Sequence, residues 1–277
     1  MSLGTGGAAM ASRRRPATAI TALTCGATLL AGPAWTGAAA AATRDDGEGD
    51  LAGKSAQQIS DTALHELAAA KSLRVRTLST ADPGKLDISL DEAGNCTGTI
   101  SKGSYGRIDL VKRGNKVWMK PDAAFWKTQL PGKGGSDAAR KYAGRYLHGT
   151  TGDPILQNLS AACDLNAFQQ SATGPTSPPP SGHPTPRLTK GKPTVQEGTR
   201  VLPVVKKIDG VTQTLYVTID GKHYPRKLTA EADHETGTVL LSNYDKPVPS
   251  KTPPPGKTVD ISVLEELLRG TQESEAA

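Results

Sequence analysis

The sequence predicts an α+β fold built on antiparallel strands, and three stretches carry that reading. From Val211 to Val248, apolar and polar residues alternate in three short runs separated by turn residues. From Leu73 to Met119, further runs of the same kind follow one another with tight turns between them. Before and after that second stretch lie segments with apolar residues at helical spacing, Ser55–Lys71 and then Phe125 to Phe168. A sheet of this kind has one apolar face that must be covered, and that face is the first place to look for a function.

Taken in order, the chain opens on residues 1–42, which read as an export signal. Arg13, Arg14 and Arg15 precede an uncharged apolar run from Pro16 to Ala31, then a Gly32-Pro33 break and the small residues Ala38–Ala42. The run is too short and too rich in small residues for a comfortable membrane span. Residues 43–54 are acidic and glycine-rich and read as a solvated tether. Ser55-x-x-Gln58 is a capping box, so a helix starts there, with Ile59, Ala63, Leu67 and Ala70 on one face.

Leu73, Val75, Thr77 and Ser79 share a strand face. Leu86, Ile88 and Leu90 alternate next, then Cys96–Lys102, then Ile108, Leu110 and Lys112, and Gly114-Asn115 turns the chain into Val117-Trp118-Met119. Phe125, Trp126 and Leu130 form an apolar segment. A helix is expected from Ser136 to about Leu147, carrying Ala139, Tyr142, Ala143 and Tyr146 on one stripe. Asp153-Pro154 is an N-cap followed by a first-turn proline.

Residues 173–193 are proline-rich and read as an insertion within one domain, because the strands after it are too few to form a core alone. Thr199–Lys206 is a strand. Leu215, Val217 and Ile219 share one face of the next, Asp220-Gly221 predicts a tight hairpin, and Val239, Leu240 and Leu241 form the last run of the meander. Tyr216 and Tyr224 are expected as a cross-strand pair. After a second proline-rich connector, Val259–Leu268 is amphipathic. The domain is drawn at 55–263, with 264–277 as a tail.

The net charge of +6 falls to +3 once the three signal arginines leave, a weak basic balance. With only 11 aromatic residues and no long Lys/Arg run, nucleic acid is not expected as a partner. Cys25 lies in the signal, which leaves Cys96 and Cys163 as the pair of an exported chain. Two separate buried thiols stay open as the alternative, since sequence does not show proximity.

In combination, several features resemble the LolA/LolB-like superfamily, and within it the LppX/LprG-like lipoproteins of actinobacteria. They are the opening helix Ser55–Lys71, the Gly114-Asn115 hairpin into KVWMK, the Trp126 region, and the closing stretch LYVTIDGKHYPRKLTAE to GTVLLSNYDKPV. The resemblance covers about residues 55–263. It implies a strongly curved antiparallel sheet, an unclosed β-barrel, with helices packed on its concave face. It further implies an apolar cavity for a lipid or other apolar molecule, with no cofactor, no metal and no covalent chemistry. The lining candidates are Leu215, Val217, Ile219, Val239, Leu241, Val117, Trp118 and Trp126, chosen by face; a register error of one residue turns a set outward.

Members of that family are commonly anchored through a lipidated cysteine. Here Ala22-Leu23-Thr24-Cys25 departs from the expected motif, so cleavage after the alanine run and free secretion are preferred to lipidation at Cys25 and anchoring on the outer face of the membrane. A monomer is expected, with a membrane surface or an envelope protein as further partner. Two rivals remain. One is a structural or protein-binding envelope module with the same fold and a filled core. The other is a hydrolase using Asp233, His234 or Ser136, against which no nucleophile motif and no metal-type histidine pair is present.

Overall fold

The computed structural model describes residues 48–130, 132–173, 187–208 and 210–275, with side chains up to 270. The stretch read as an export signal, with Cys25, most of the stretch read as a tether and the centre of the proline-rich stretch lie outside the described residues.

Helix α1, Ala56–Ala69, begins at the expected capping box. The Gln58 amide donates to Ser55 Oγ at 3.2 Å, and the Ser55 amide donates to Gln58 Oε1 at 2.9 Å. Its predicted apolar stripe is buried. An antiparallel meander follows: β1 (Ser72–Ser79), β2 (Gly84–Asp91), β3 (Cys96–Lys102), β4 (Arg107–Arg113) and β5 (Lys116–Pro121). Asp122 caps α2 (Ala123–Gln129) by accepting from the Phe125 amide at 2.8 Å. Then come α3 (Lys133–Lys141), β6 (Tyr146–Thr150), α4 (Pro154–Ala161) and α5 (Leu165–Thr173).

Beyond residue 187 the chain forms β7 (Leu188–Lys190), β8 (Thr194–Gln196), β9 (Thr199–Ile208), β10 (Val211–Thr218), β11 (Pro225–Ala232) and β12 (Glu235–Ser242). Residues 246–257 then cross the sheet. Ser72 Oγ donates to the Lys246 carbonyl at 2.6 Å, and the Arg113 guanidinium donates to the Pro249 carbonyl. The chain re-enters the sheet as β13 (Thr258–Asp260), parallel to β6, and ends in α6 (Ser262–Glu275).

All these strands join one curved, unclosed sheet in the order β13-β6-β5-β4-β3-β2-β1-β12-β11-β10-β9-β7, with β8 also on β9. β12 beside β1 joins the two halves. Register defines rows across the helix-covered face. A middle row runs Leu241, Val75, Ile88, Gly98, Leu110, Met119, Leu147, and its side chains are at 2% exposure or less. Gly98 belongs there because a Cβ would stand 2.1 Å from the Asp87 carbonyl oxygen, so the strands can approach only without a side chain. All six helices contribute to the core over this row. Cys96 and Cys163 form a disulfide, Cα–Cα 5.4 Å, which ties β3 to the turn between α4 and α5.

Several expectations need correction. The helix expected from Ser136 to Leu147 starts at Lys133 and stops at Lys141; Gly144, at φ 68°, reverses the chain, and Tyr146 and Leu147 enter β6 beside β5. Asp220-Gly221 is not a two-residue hairpin, because β10 and β11 end at Thr218 and Pro225. Ile219 is drawn away to donate to the Arg200 carbonyl and to pack with Leu51 and Ile59. Tyr216 pairs with Lys227, not Tyr224, since the register shifts at Val217; Tyr224 instead stacks on Tyr244 at 3.9 Å. The packed unit also passes both drawn boundaries. Leu51 and Leu264 lie in the core, and β7 falls inside the stretch read as an insertion.

Candidate ligand groove

Strands β9 to β12 present a row above the packed one: Val204, Leu215, Leu228 and Val239, continued across β1–β4 by Thr77, Leu86, Ile100 and Ile108. From Leu228 onward this row is only partly buried. One step nearer the turns lies a rim row of Leu188, Lys206, Gln213, Ala230 and Gly237. Alternation puts successive side chains of each strand on opposite faces, so residues two apart line the same side. The upper and rim rows over β7 and β9–β12 enclose a small void of about 40 Å³. That is room for about one water rather than the roughly 300 Å³ of a small-molecule pocket.

α1 is the helix over this half of the face. Its Ile59 and Ala63 pack with Leu51 against Leu202, Val204, Leu215, Val217 and Ile219. The far end of α1 is held by α5, where the buried Gln169 amide donates to the carbonyls of Leu67 at 2.9 Å and Ala70 at 2.8 Å. Lys190 in β7 donates to Glu48 at 2.6 Å and to the Ala52 carbonyl at 3.1 Å, closing the side of the groove near the start of α1. Lys206 is 5% exposed, and burial lowers its pKa from the ordinary lysine value.

The eight lining candidates divide. Leu215 and Val239 line the void. Val217 and Ile219 are buried beneath α1, and Leu241, Val117 and Trp126 lie in the larger core. Trp118 points the other way. Val117 and Met119 on either side of it face the helices, while Trp118 stacks on His148 across the opposite face, ring centroids 4.9 Å apart. The parity of β5 was the error. Lining residues not foreseen include Leu188, Val204, Lys206, Gln213, Leu228, Ala230 and Gly237. Alternation along VLPVVKKI put Val204 and Lys206 on one face, and a lysine in an apolar row was the available signal.

The hydrolase candidates do not assemble. Asp233 and His234 occupy the exposed β11–β12 turn at φ 48° and 68°, and Ser136 sits in α3. Among the described residues no group of His, Cys, Asp and Glu could hold a metal, and no helix is long and apolar enough to cross a membrane. His223 Nδ1 lies 3.1 Å from the Thr218 carbonyl within its own turn.

The fold is therefore an open, helix-plugged half-barrel with an apolar groove at one end of its covered face. No family model matches the chain, and no curated protein matches it in sequence. LprF from Mycobacterium bovis is similar, with TM-score 0.47 and 13% identity over 72% of this chain and 96% of that one. The Mycobacterium tuberculosis lipoprotein LppX is similar at TM-score 0.43 and 11% identity, over 70% of this chain and 97% of that one. A LolA superfamily protein from Nitrosomonas europaea is similar at TM-score 0.20 and 10% identity, over 72% and 96% of the two chains. These neighbours bear the names of the families that the sequence resembles.

Proposed function

We propose that this chain is a non-catalytic, exported envelope protein that holds a lipid or another apolar molecule in the groove between α1 and strands β9–β12. The observation that carries the reading is the half-buried apolar row Leu228, Val239, Leu86, Ile100 and Ile108, which meets the void lined by β7 and β9–β12. A core that served stability alone has no reason to leave that row short of closure while its neighbour two residues away is sealed. The arginine-led apolar run at residues 13–31 and the Cys96–Cys163 bond support export. A chain of methylenes would enter by displacing α1 from the upper row.

The second reading is an envelope module with a filled core, and the small size of the void favours it. Native mass spectrometry of the mature protein, mixed with a lipid extract, separates the two. Retained lipid of defined mass supports the groove; bare protein at every lipid concentration supports the filled core.

A further inference from the structure

The turn end of strands β1–β4 carries an exposed apolar tip. The β1–β2 and β3–β4 turns lie side by side there, because Gly84 pairs with Lys102. Gly103–Tyr105 form a single tight turn, closed by the Lys102 amide, which donates to the Gly106 carbonyl at 2.9 Å. A Cβ on Gly103 would collide with the Pro83 ring, and one on Gly106 with the Phe125 backbone, so Pro83, the turn and the start of α2 form one packed surface. Tyr105 stands on it at 63% exposure, and Leu78, at 45%, lies near the end of β1. Among the described residues these are two of the three large apolar side chains left exposed. Cations ring the tip. Lys102 is exposed two residues beyond Ile100 on the same face, and Lys85 and Arg107 are exposed in a row through Ser101 on the other face. The acids nearby are engaged. Asp82 accepts from the Gly84 amide, Asp122 accepts from the Phe125 amide, and Asp109 lies between Arg107 and Lys120. The β11–β12 turn, at the same end of the sheet, is acidic instead, with Glu231, Asp233 and Glu235 exposed.

We infer that this tip docks on an anionic lipid bilayer, with Tyr105 seated among the headgroups and Lys85, Lys102 and Arg107 against the acidic lipids. An aromatic side chain with a polar end favours the boundary between headgroups and hydrocarbon, and basic side chains beside it add attraction to a negative surface. The acidic β11–β12 turn is repelled by the same surface, so the contact falls on the β3–β4 corner and the sheet tilts over it. The position suits the groove. Leu86, Ile100 and Ile108, half-buried, end the upper row within a few residues of the tip, so an apolar chain leaving the bilayer there meets apolar side chains rather than water. The inference rests on the groove reading for what passes at the contact, while the contact itself is read from the tip alone.

The test is sedimentation of the mature chain, cut after the alanine run, with vesicles of phosphatidylglycerol or of phosphatidylcholine. The wild type should bind the anionic vesicles about tenfold tighter, and raised salt should remove most of that preference. Lys85→Glu combined with Lys102→Glu should abolish the preference. Tyr105→Ser should weaken binding to the anionic vesicles about fivefold, whereas Val195→Ser, at a similarly exposed apolar position on β8, should leave it unchanged. All four positions are exposed, and melting curves establish that the variants fold. Each variant should also bind a fluorescent fatty acid from solution as the wild type does, which separates docking from the groove. Equal binding to both kinds of vesicle, or none to either, overturns the inference, and a protein partner is then the occupant to seek. A preference that survives in the double glutamate variant overturns it as well. Docking on anionic vesicles by a wild type that takes up no fatty acid upholds the tip and overturns the groove.

Discussion

The two halves of the covered face differ in what lies on them. Over β1–β6 the side chains of α2, α3, α4, α5 and α6 close the core, the disulfide ties β3 to that layer, and the middle row is sealed. Over β9–β12 the cover is α1 with Leu51, and the sheet leaves a void bordered by Leu228 and Val239. Both halves are antiparallel meanders with the same alternation, so strand pattern does not set the difference. The amount of helix laid over each half does. The half with many covering elements has its middle row sealed, and the half with one helix leaves a void at its rim.

The contrast is broken most directly at the disulfide. Replacing Cys96 and Cys163 together by alanine opens a loop of 67 residues and should cost about 4 kcal/mol on the chain-entropy view, read as a large fall in the denaturation midpoint. A loss well below about 1 kcal/mol would mean that the helical layer holds without its tie. Core truncations sharpen the comparison. Leu110→Ala in the sealed row should cost about 3 kcal/mol, while Leu228→Ala beside the void should cost about 1 kcal/mol, because its side chain is already partly in contact with solvent. Equal costs at the two positions would remove the distinction between the halves.

A smaller effect is expected from acid. Asp245 is held below its ordinary value, first by the Tyr224 hydroxyl, which donates at 2.5 Å, and next by the Lys71 amide at 3.0 Å. A carboxyl with a lowered folded pKa contributes stability above its unfolded pKa and loses it as pH falls through the folded one. Stability should therefore decline below about pH 5, and Asp245→Asn should flatten part of that slope while lowering stability at neutral pH. Chemical denaturation at a series of pH values reads both, and an unchanged slope in the variant would show that the contact is spent elsewhere.

Much of the fold was legible because it is local. The Ser55–Gln58 box, the alternation in β1–β5 and the first-turn Pro154 each declare their element within a few residues. What escaped depends on distant partners. Tyr146 continued a helical stripe through Tyr142, and only pairing with β5 makes it strand; β13 exists because three residues meet β6 in parallel from over a hundred residues away. Site residues were harder still. Leu215 and Val239 follow from alternation, but whether a row is sealed or open depends on how many helices cover it. Trp118 failed on parity, which adjacent apolar residues Val117, Trp118 and Met119 leave undetermined. Lys206 was visible as a charge in an apolar row, yet its burial is a property of the assembled groove.

Gly237 gives the most direct test of the groove. A Cβ built there meets nothing closer than the Ala230 carbonyl oxygen at 4.0 Å, so a side chain can start there without a backbone clash, and a bulky one would crowd the void that Gly237 lines. Titration of a fluorescent fatty-acid probe into wild type and Gly237→Phe, with melting curves for both, measures the result. The account predicts saturable binding by the wild type and a loss of about tenfold or more in the variant at nearly unchanged stability. Equal binding by the two proteins, or none by the wild type, would contradict it.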